Sequence, residues 1–146
     1  MIRKWDAKDN LPLLDLWLES TIHAHPFIDE TYWHESIAVV RDVYLPAAST
    51  WVWEEDATIK GFVSVMESRF IGALFVAPDA IRRGIGSALL DEVKQHYRWL
   101  SLEVYQKNVQ AVNFYHAQGF RIEDCAWQDD TLQPTWIMHW PADQTP

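Results

Sequence analysis

Residues 70–90 set the terms for the whole chain. Phe70 to Val76 is apolar at nearly every position, Pro78 and Asp79 interrupt it, and Arg82-Arg83-Gly84-Ile85-Gly86-Ser87 leads into Ala88-Leu89-Leu90. An apolar run of this length reads as a strand buried on both faces. The stretch from Gly84 to about Tyr97 reads as a helix. A buried strand that hands over to a helix needs a sheet covered by helices, which places the chain in the α/β class. The loop between them also carries chemistry. A helix start presents N–H groups without intrahelical partners and a partial positive charge. Gly84 and Gly86 lack a Cβ and let an anion approach that backbone, and Arg82 and Arg83 add cations. The loop therefore reads as a phosphate or pyrophosphate cradle formed by Arg82, Arg83, Gly84, Ile85, Gly86 and Ser87. It is not a P-loop, which needs a lysine between Gly86 and Ser87. It is not a dinucleotide fingerprint either, because Leu89 stands where a third Gly or Ala belongs.

The flanking segments alternate in period. Ile2 to Trp5 reads as a strand. Asn10 caps a helix with Pro12 in its first turn and Leu13, Leu14, Trp17 and Leu18 on its apolar face, stopped at His25-Pro26. Asp29 or Thr31 caps a second helix with Trp33, Ile37, Val40, Val43 and Tyr44 inward. Residues 46–50 connect it to a hairpin of Thr50–Glu54 and Ile59–Met66, turning at residues 55–58, with Gly61 at a bulge. After the glycine-loop helix come a strand over Trp99–Tyr105, a helix from Asn108 that Gly119 ends, and a last hairpin of Phe120–Trp127 and Thr135–Trp140. The order β-α-α-β-β-β-α-β-α-β-β predicts one domain over 1–146. Its sheet is mixed and mostly antiparallel, with helices on both faces.

Composition narrows the function classes. Hydrophobic residues make up 49% of 146, enough for a core without metals or disulfides. The single cysteine, Cys125, reads as a buried core residue. The amino-terminal residues lack the apolar run of a secretion signal, and no stretch approaches the roughly 20 apolar residues of a membrane span. A cytoplasmic location and no membrane partner are expected. A net charge of −9 and a pI near 5.0 argue against a nucleic-acid partner, which needs a basic face. His23 and His25 stand alone, so no metal is expected.

A second motif, Asn108-Val109-Gln110-Ala111-Val112-Asn113-Phe114-Tyr115-His116-Ala117-Gln118-Gly119-Phe120, gives the glycine loop its context. Taken together, the two motifs resemble the acetyl-CoA signatures of the GNAT superfamily of N-acetyltransferases, in the same order along the chain. Ile81 departs from the pattern, standing where that family carries Arg or Gln. The resemblance covers nearly the whole chain. It implies the GNAT-like acyl-CoA N-acyltransferase fold, acetyl-CoA as co-substrate and an amine acceptor. It further implies that Leu74, Phe75 and Val76 pair their backbone with the pantetheine arm, that Asn108 contacts the cofactor, and that the Tyr115 hydroxyl faces the sulfur. Residues 51–56, 102–108 and the Trp-rich tail look like the YiaC group of small bacterial members, which implies acetylation of protein lysines.

The chemistry names further residues. A lysine of pKa about 10.4 is only about 0.1% neutral at pH 7.4, so keeping it neutral costs about 4 kcal/mol unless a base helps. Glu103 is the first candidate base and Glu67 the second, with a water chain as the third. Tyr115 is the candidate general acid, and the Val76 N–H the candidate oxyanion donor. Phe70, Trp33 and Trp136 are candidate walls of the acceptor site. The acceptor itself stays open between a protein lysine, a protein N-terminus and a small-molecule amine. A CoA-sensing module without turnover is the rival of a different class, and monomer and homodimer are equally open.

Overall fold

The computed structural model describes residues 1–141. The elements follow the expected order: β1 (Ile2–Lys4), α1 (Asn10–Ala24), α2 (Glu30–Val39), the single turn α3 (Leu45–Ala47), β2 (Ser49–Glu55), β3 (Thr58–Val65), β4 (Phe70–Val76), α4 (Ile85–Lys94), β5 (Leu100–Tyr105), α5 (Val109–Ala117), β6 (Arg121–Gln128) and β7 (Gln133–Trp140). The seven strands form one sheet in the order β1-β2-β3-β4-β5-β7-β6, in which only β4 and β5 run parallel. That parallel contact is short, pairing Phe70 with Ser101 and Ile71 with Leu102. Beyond Ile71 the two strands part, and a gap opens in the middle of the sheet.

Side-chain alternation sorts the two faces. On β3 and β4, Phe62, Ser64 and Ala73 face α1, together with Leu13 and Trp17. Gly61, Val63, Leu74 and Val76 face α4. A Cβ on Gly61 would lie 3.0 Å from Ile85 Cγ2 and 3.1 Å from the Phe75 carbonyl, so this glycine lets α4 sit directly on the strand. The expected bulge is its neighbour: Trp53 pairs with Gly61 and Glu54 with Ile59, leaving Lys60 as the extra residue. Fully buried Leu89, Leu90, Val93, Leu100 and Met138 fill the α4 side.

Four local expectations shift. The cap before α1 moves upstream of Asn10: Asp6 and Asp9 form a capping box around the 3₁₀ turn Ala7–Asp9, and buried Asp9 receives two bonds from Arg3 at 2.8 and 2.9 Å. Asp29, rather than Thr31, caps α2. After Val39 the helix widens into a π-turn over Val40–Tyr44, which leaves Val43 and Tyr44 exposed. Cys125 is exposed, not buried, because β6 is the edge strand and little packs over it.

Candidate active site

The gap between β4 and β5 is where backbone chemistry is available. The Ala77 amide donates to the Lys60 carbonyl at 2.8 Å. Alternation along an antiparallel ladder then points the N–H and C=O of Phe75 toward β3, and those of Leu74 and Val76 away from it. Away from β3 means into the gap, where no strand among the described residues pairs with them; there the Val76 carbonyl receives a long 3.5 Å contact from the Ser20 hydroxyl. Of the three residues expected to line a pantetheine arm, Leu74 and Val76 offer free edges and Phe75 uses its backbone on β3. The expected burial of β4 on both faces does not hold for the same reason: Ala73 to Val76 are only partly buried, because their outer edge borders the gap.

At the end of β4, the 3₁₀ turn Pro78–Ala80 and the loop to α4 aim a helix start at the gap. The first helical bond of α4 runs from the Ala88 amide to the Gly84 carbonyl, so the N–H groups of Ile85, Gly86 and Ser87 have no partner in the helix. Arg82 and Gly84 both take left-handed backbone, at φ 70° and 83°. For Arg82 this costs about 1–2 kcal/mol, the kind of strain that persists where a loop must aim its backbone. A Cβ on Gly86 would lie 3.4 Å from Phe114 Cζ and 3.7 Å from Val76 Cγ2. The glycine thus keeps the passage between α4, α5 and β4 open.

The two arginines differ. Arg83 makes a bidentate pair with Glu55 on the β2–β3 hairpin, at 2.5 and 2.9 Å. That pair holds the loop and cancels the charge expected at its mouth. Arg82 is exposed and has no ion pair among the described residues. Ser87 accepts a 3.0 Å bond from the Gln118 side chain, which ties α4 to α5. Asn108 caps α5 by accepting from the Ala111 amide at 3.3 Å, so its carbonyl oxygen is taken and its amide is left for a ligand. Ile81, at the position where Arg or Gln was expected, is exposed.

Tyr115 projects from α5 on the α4 side of the sheet, packed edge-on against Phe120 with ring centroids 5.5 Å apart. Burial alone pushes its phenol well above the usual tyrosine value, and nothing among the described residues hydrogen-bonds it. It therefore remains a protonated donor at any physiological pH. Glu103 lies on the other face. Its Oε2 accepts from the Thr135 hydroxyl at 2.6 Å and the Gln128 amide at 2.8 Å, which fixes the carboxylate and leaves Oε1 unbonded among the described residues. Glu67 is exposed on the β3–β4 turn, before the paired stretch of β4, and is not brought to the gap.

The three candidate acceptor walls do not converge. Trp33 is buried in an aromatic cluster with Trp17, His25, Tyr32 and Tyr105, all within 6.5 Å between centroids. Phe70 faces a cavity beneath α1. Trp136 pairs with Val104 and so projects on the face opposite Glu103 and Tyr105. Tyr105 and His25, which sequence reasoning did not place in the acceptor site, gather beside the gap on the α1 side together with Phe27. His25 Nδ1 lies 2.7 Å from the Thr21 carbonyl, and burial lowers the ring's pKa, so the imidazole is neutral at pH 7. The Tyr105 hydroxyl accepts from Thr131 on the β6–β7 turn at 3.3 Å, linking that turn to the cluster. No single motif marks this group, because Tyr105 stands far along the chain from His25 and Phe27.

Comparison with known proteins gives the family and the fold. The model of the acetyltransferase (GNAT) family matches residues 10–120. The chain is 59% identical over 145 residues, 99% of each chain, to the peptidyl-lysine N-acetyltransferase YiaC of Escherichia coli (strain K12). Its fold superposes on the solution structure of apo YjaB from Escherichia coli with a TM-score of 0.82, at 27% identity over 96% of each chain. The crystal structure of the PaiA N-acetyltransferase of Thermoplasma acidophilum with coenzyme A superposes with a TM-score of 0.81, at 22% identity over 95% of this chain and 96% of that one, a likeness of fold alone.

Proposed function

The chain belongs to the acetyltransferase (GNAT) family, and from that premise we propose that it acetylates the side-chain amine of peptidyl lysine. It is an acetyl-CoA-dependent N-acetyltransferase with a mixed α/β fold. The lysine acceptor rests on one observation, the near-full-length likeness to the Escherichia coli enzyme of that activity.

The residues divide the work as follows. The N–H groups of Ile85, Gly86 and Ser87, with Arg82 beside them, hold the pyrophosphate, since a helix start favours an anion. The free edges of Leu74 and Val76 hold the pantetheine arm in the gap, and the Asn108 amide adds a donor at its side. A backbone N–H that β4 turns into the gap stabilises the oxyanion as the amine attacks. Glu103, held by Thr135 and Gln128, takes the amine's proton directly or through water from the α1 side. Tyr115, neutral through burial, gives a proton to the departing thiolate from the α4 side. A free thiol has a pKa of about 8.5, so this leaving group needs only modest help.

The direct test is release of CoA thiol from acetyl-CoA with a peptide that carries one lysine and a blocked N-terminus, the acetyl group then being located by mass spectrometry. Acetyl on the lysine Nζ is expected. Transfer only to free peptide N-termini or small amines would reassign the acceptor, and no release with any amine would remove turnover altogether.

A further inference from the structure

Lys107 stands where a peptide lysine has to pass. It lies in the turn Tyr105–Asn108, which the Asn108 amide closes on the Tyr105 carbonyl at 3.0 Å. The Gln106 amide ties the same turn to the Pro134 carbonyl at 3.0 Å. The next residue is Asn108, whose side-chain amide is left for a ligand. From this held backbone the exposed Lys107 side chain crosses to the connection between α1 and α2, where its Nζ lies 5.8 Å from the centre of the Phe27 ring. Phe27 packs edge-on against Tyr105 at 5.8 Å and against His25 at 5.7 Å. The ammonium therefore rests on the aromatic group beside the gap, on the α1 side, from which the amine attacks. Glu103 projects on the same face of β5 as Tyr105.

The other lysines are held elsewhere. Lys4 Nζ sits 4.3 Å over the Trp51 ring, Lys60 pairs with Asp79 at 3.2 Å, and Lys94 donates to the Gln118 carbonyl at 2.6 Å. Lys8 is on the 3₁₀ turn between β1 and α1, and β1 is the far edge of the sheet from β5. Lys107 makes no ion pair among the described residues. An exposed ammonium over a phenylalanine ring is held weakly, so its four-methylene stem is free to turn into the gap.

We propose that Lys107 is the enzyme's own acceptor: with acetyl-CoA bound and no peptide present, the chain acetylates Lys107 Nζ in cis. The inference rests on the reading above that CoA lies along β4 and that the amine enters from the α1 side. Once the ammonium has passed a proton to Glu103, Nζ attacks the acyl carbon. The carbon–sulfur bond breaks, a carbon–nitrogen bond forms, and the proton shed by the nitrogen ends on the CoA thiol. Tethering replaces affinity here, since an amine anchored beside the site stands at an effective concentration on the order of millimolar. The product amide is neither nucleophilic nor cationic, so each chain reacts once.

The test incubates the full chain with acetyl-CoA alone and follows acetyl at Lys107 and at exposed Lys8 by mass spectrometry, with the lysine peptide as a parallel substrate. Lys107 should gain acetyl about 100-fold faster than Lys8, because it alone reaches the proton-transfer groups. Its rate constant should not change when the protein is diluted. Tyr115→Phe should slow it toward the Lys8 rate, and Lys107→Arg should remove the label. Lys107 left unmodified while the peptide is acetylated would overturn this proposal and leave the earlier reading standing. So would a rate no faster than at Lys8, which is uncatalysed chemistry, or a rate constant that rises with protein concentration, which is transfer between copies. Absence of acetyl on both the peptide and Lys107 would overturn the earlier reading, and this one with it.

Discussion

On the α4 side of the sheet, the groups that face the gap come from two contiguous segments, residues 74–87 and 108–115. On the α1 side they come from α1 and the residues after it, α2, β5 and the β6–β7 turn, which all reach Tyr105. The first region works largely through backbone: unpaired strand edges, a helix start, and two glycines that clear the way. The second works through side chains whose neighbours decide their roles. Glu103 matters because Thr135 and Gln128 fix it, and His25 is neutral because aromatic rings bury it. A site made of backbone depends on local geometry and tolerates departures such as Ile81. A site made of side chains can change acceptor through one substitution at a distance.

This contrast can be broken at its strongest point by Gly86→Glu. The new side chain starts 3.4 Å from Phe114 and adds like charge at the proposed pyrophosphate site. Overpacking of about 1–3 kcal/mol together with like-charge repulsion should weaken acetyl-CoA about 1,000-fold by calorimetry in a folded variant. Unchanged affinity would place the cofactor elsewhere. Next in size, Tyr115→Phe should lower kcat about 100-fold, within the range of a lost proton transfer, with acetyl-CoA Kd unchanged. A fall in affinity instead would make Tyr115 a wall rather than an acid.

Glu103→Gln should cost about tenfold in kcat/KM at pH 7 for a lysine peptide. The loss should shrink as pH rises, because the neutral fraction of the lysine grows tenfold per pH unit. A pH-independent loss would mean that Glu103 only positions its neighbours. The smallest effect belongs to His25. Burial lowers its folded pKa below the unfolded value of 6.5, so the unfolded chain takes up the proton first. Its contribution is complete above about pH 6.5 and is lost as pH falls through the folded pKa. The melting temperature should therefore drop by a few degrees between pH 7 and 5, with a shallower slope in His25→Phe. Equal slopes would show that His25 titrates in the same way folded and unfolded.

Legibility followed the same division. The strand–loop–helix over residues 70–94 and the cap and stop of α5 at Asn108 and Gly119 could be read because short-range rules govern them: hydrophobic period, helix-end chemistry, and the φ of 92° that Gly119 adopts. The element order and the mostly antiparallel sheet followed from the same rules. Trp33 and Trp136 could not be assigned, because an apolar ring looks alike in sequence whether it packs in a core or walls a cleft. Cys125 reads as a core residue because free cysteine is among the most buried residue types; the strand order shows that β6 is an edge.

The sequence by itself determined the family, the cofactor and the helix start that the glycine loop opens, because those rest on contacts within a few residues. Tertiary structure alone decided that β4 and β5 part after Ile71 and that Arg83 is held by Glu55. It also decided that Glu103 and Tyr115 approach from opposite faces and that a hydrocarbon-lined space lies beneath α1. Each depends on how far one strand diverges from another, and a chain's local pattern carries no measure of that distance.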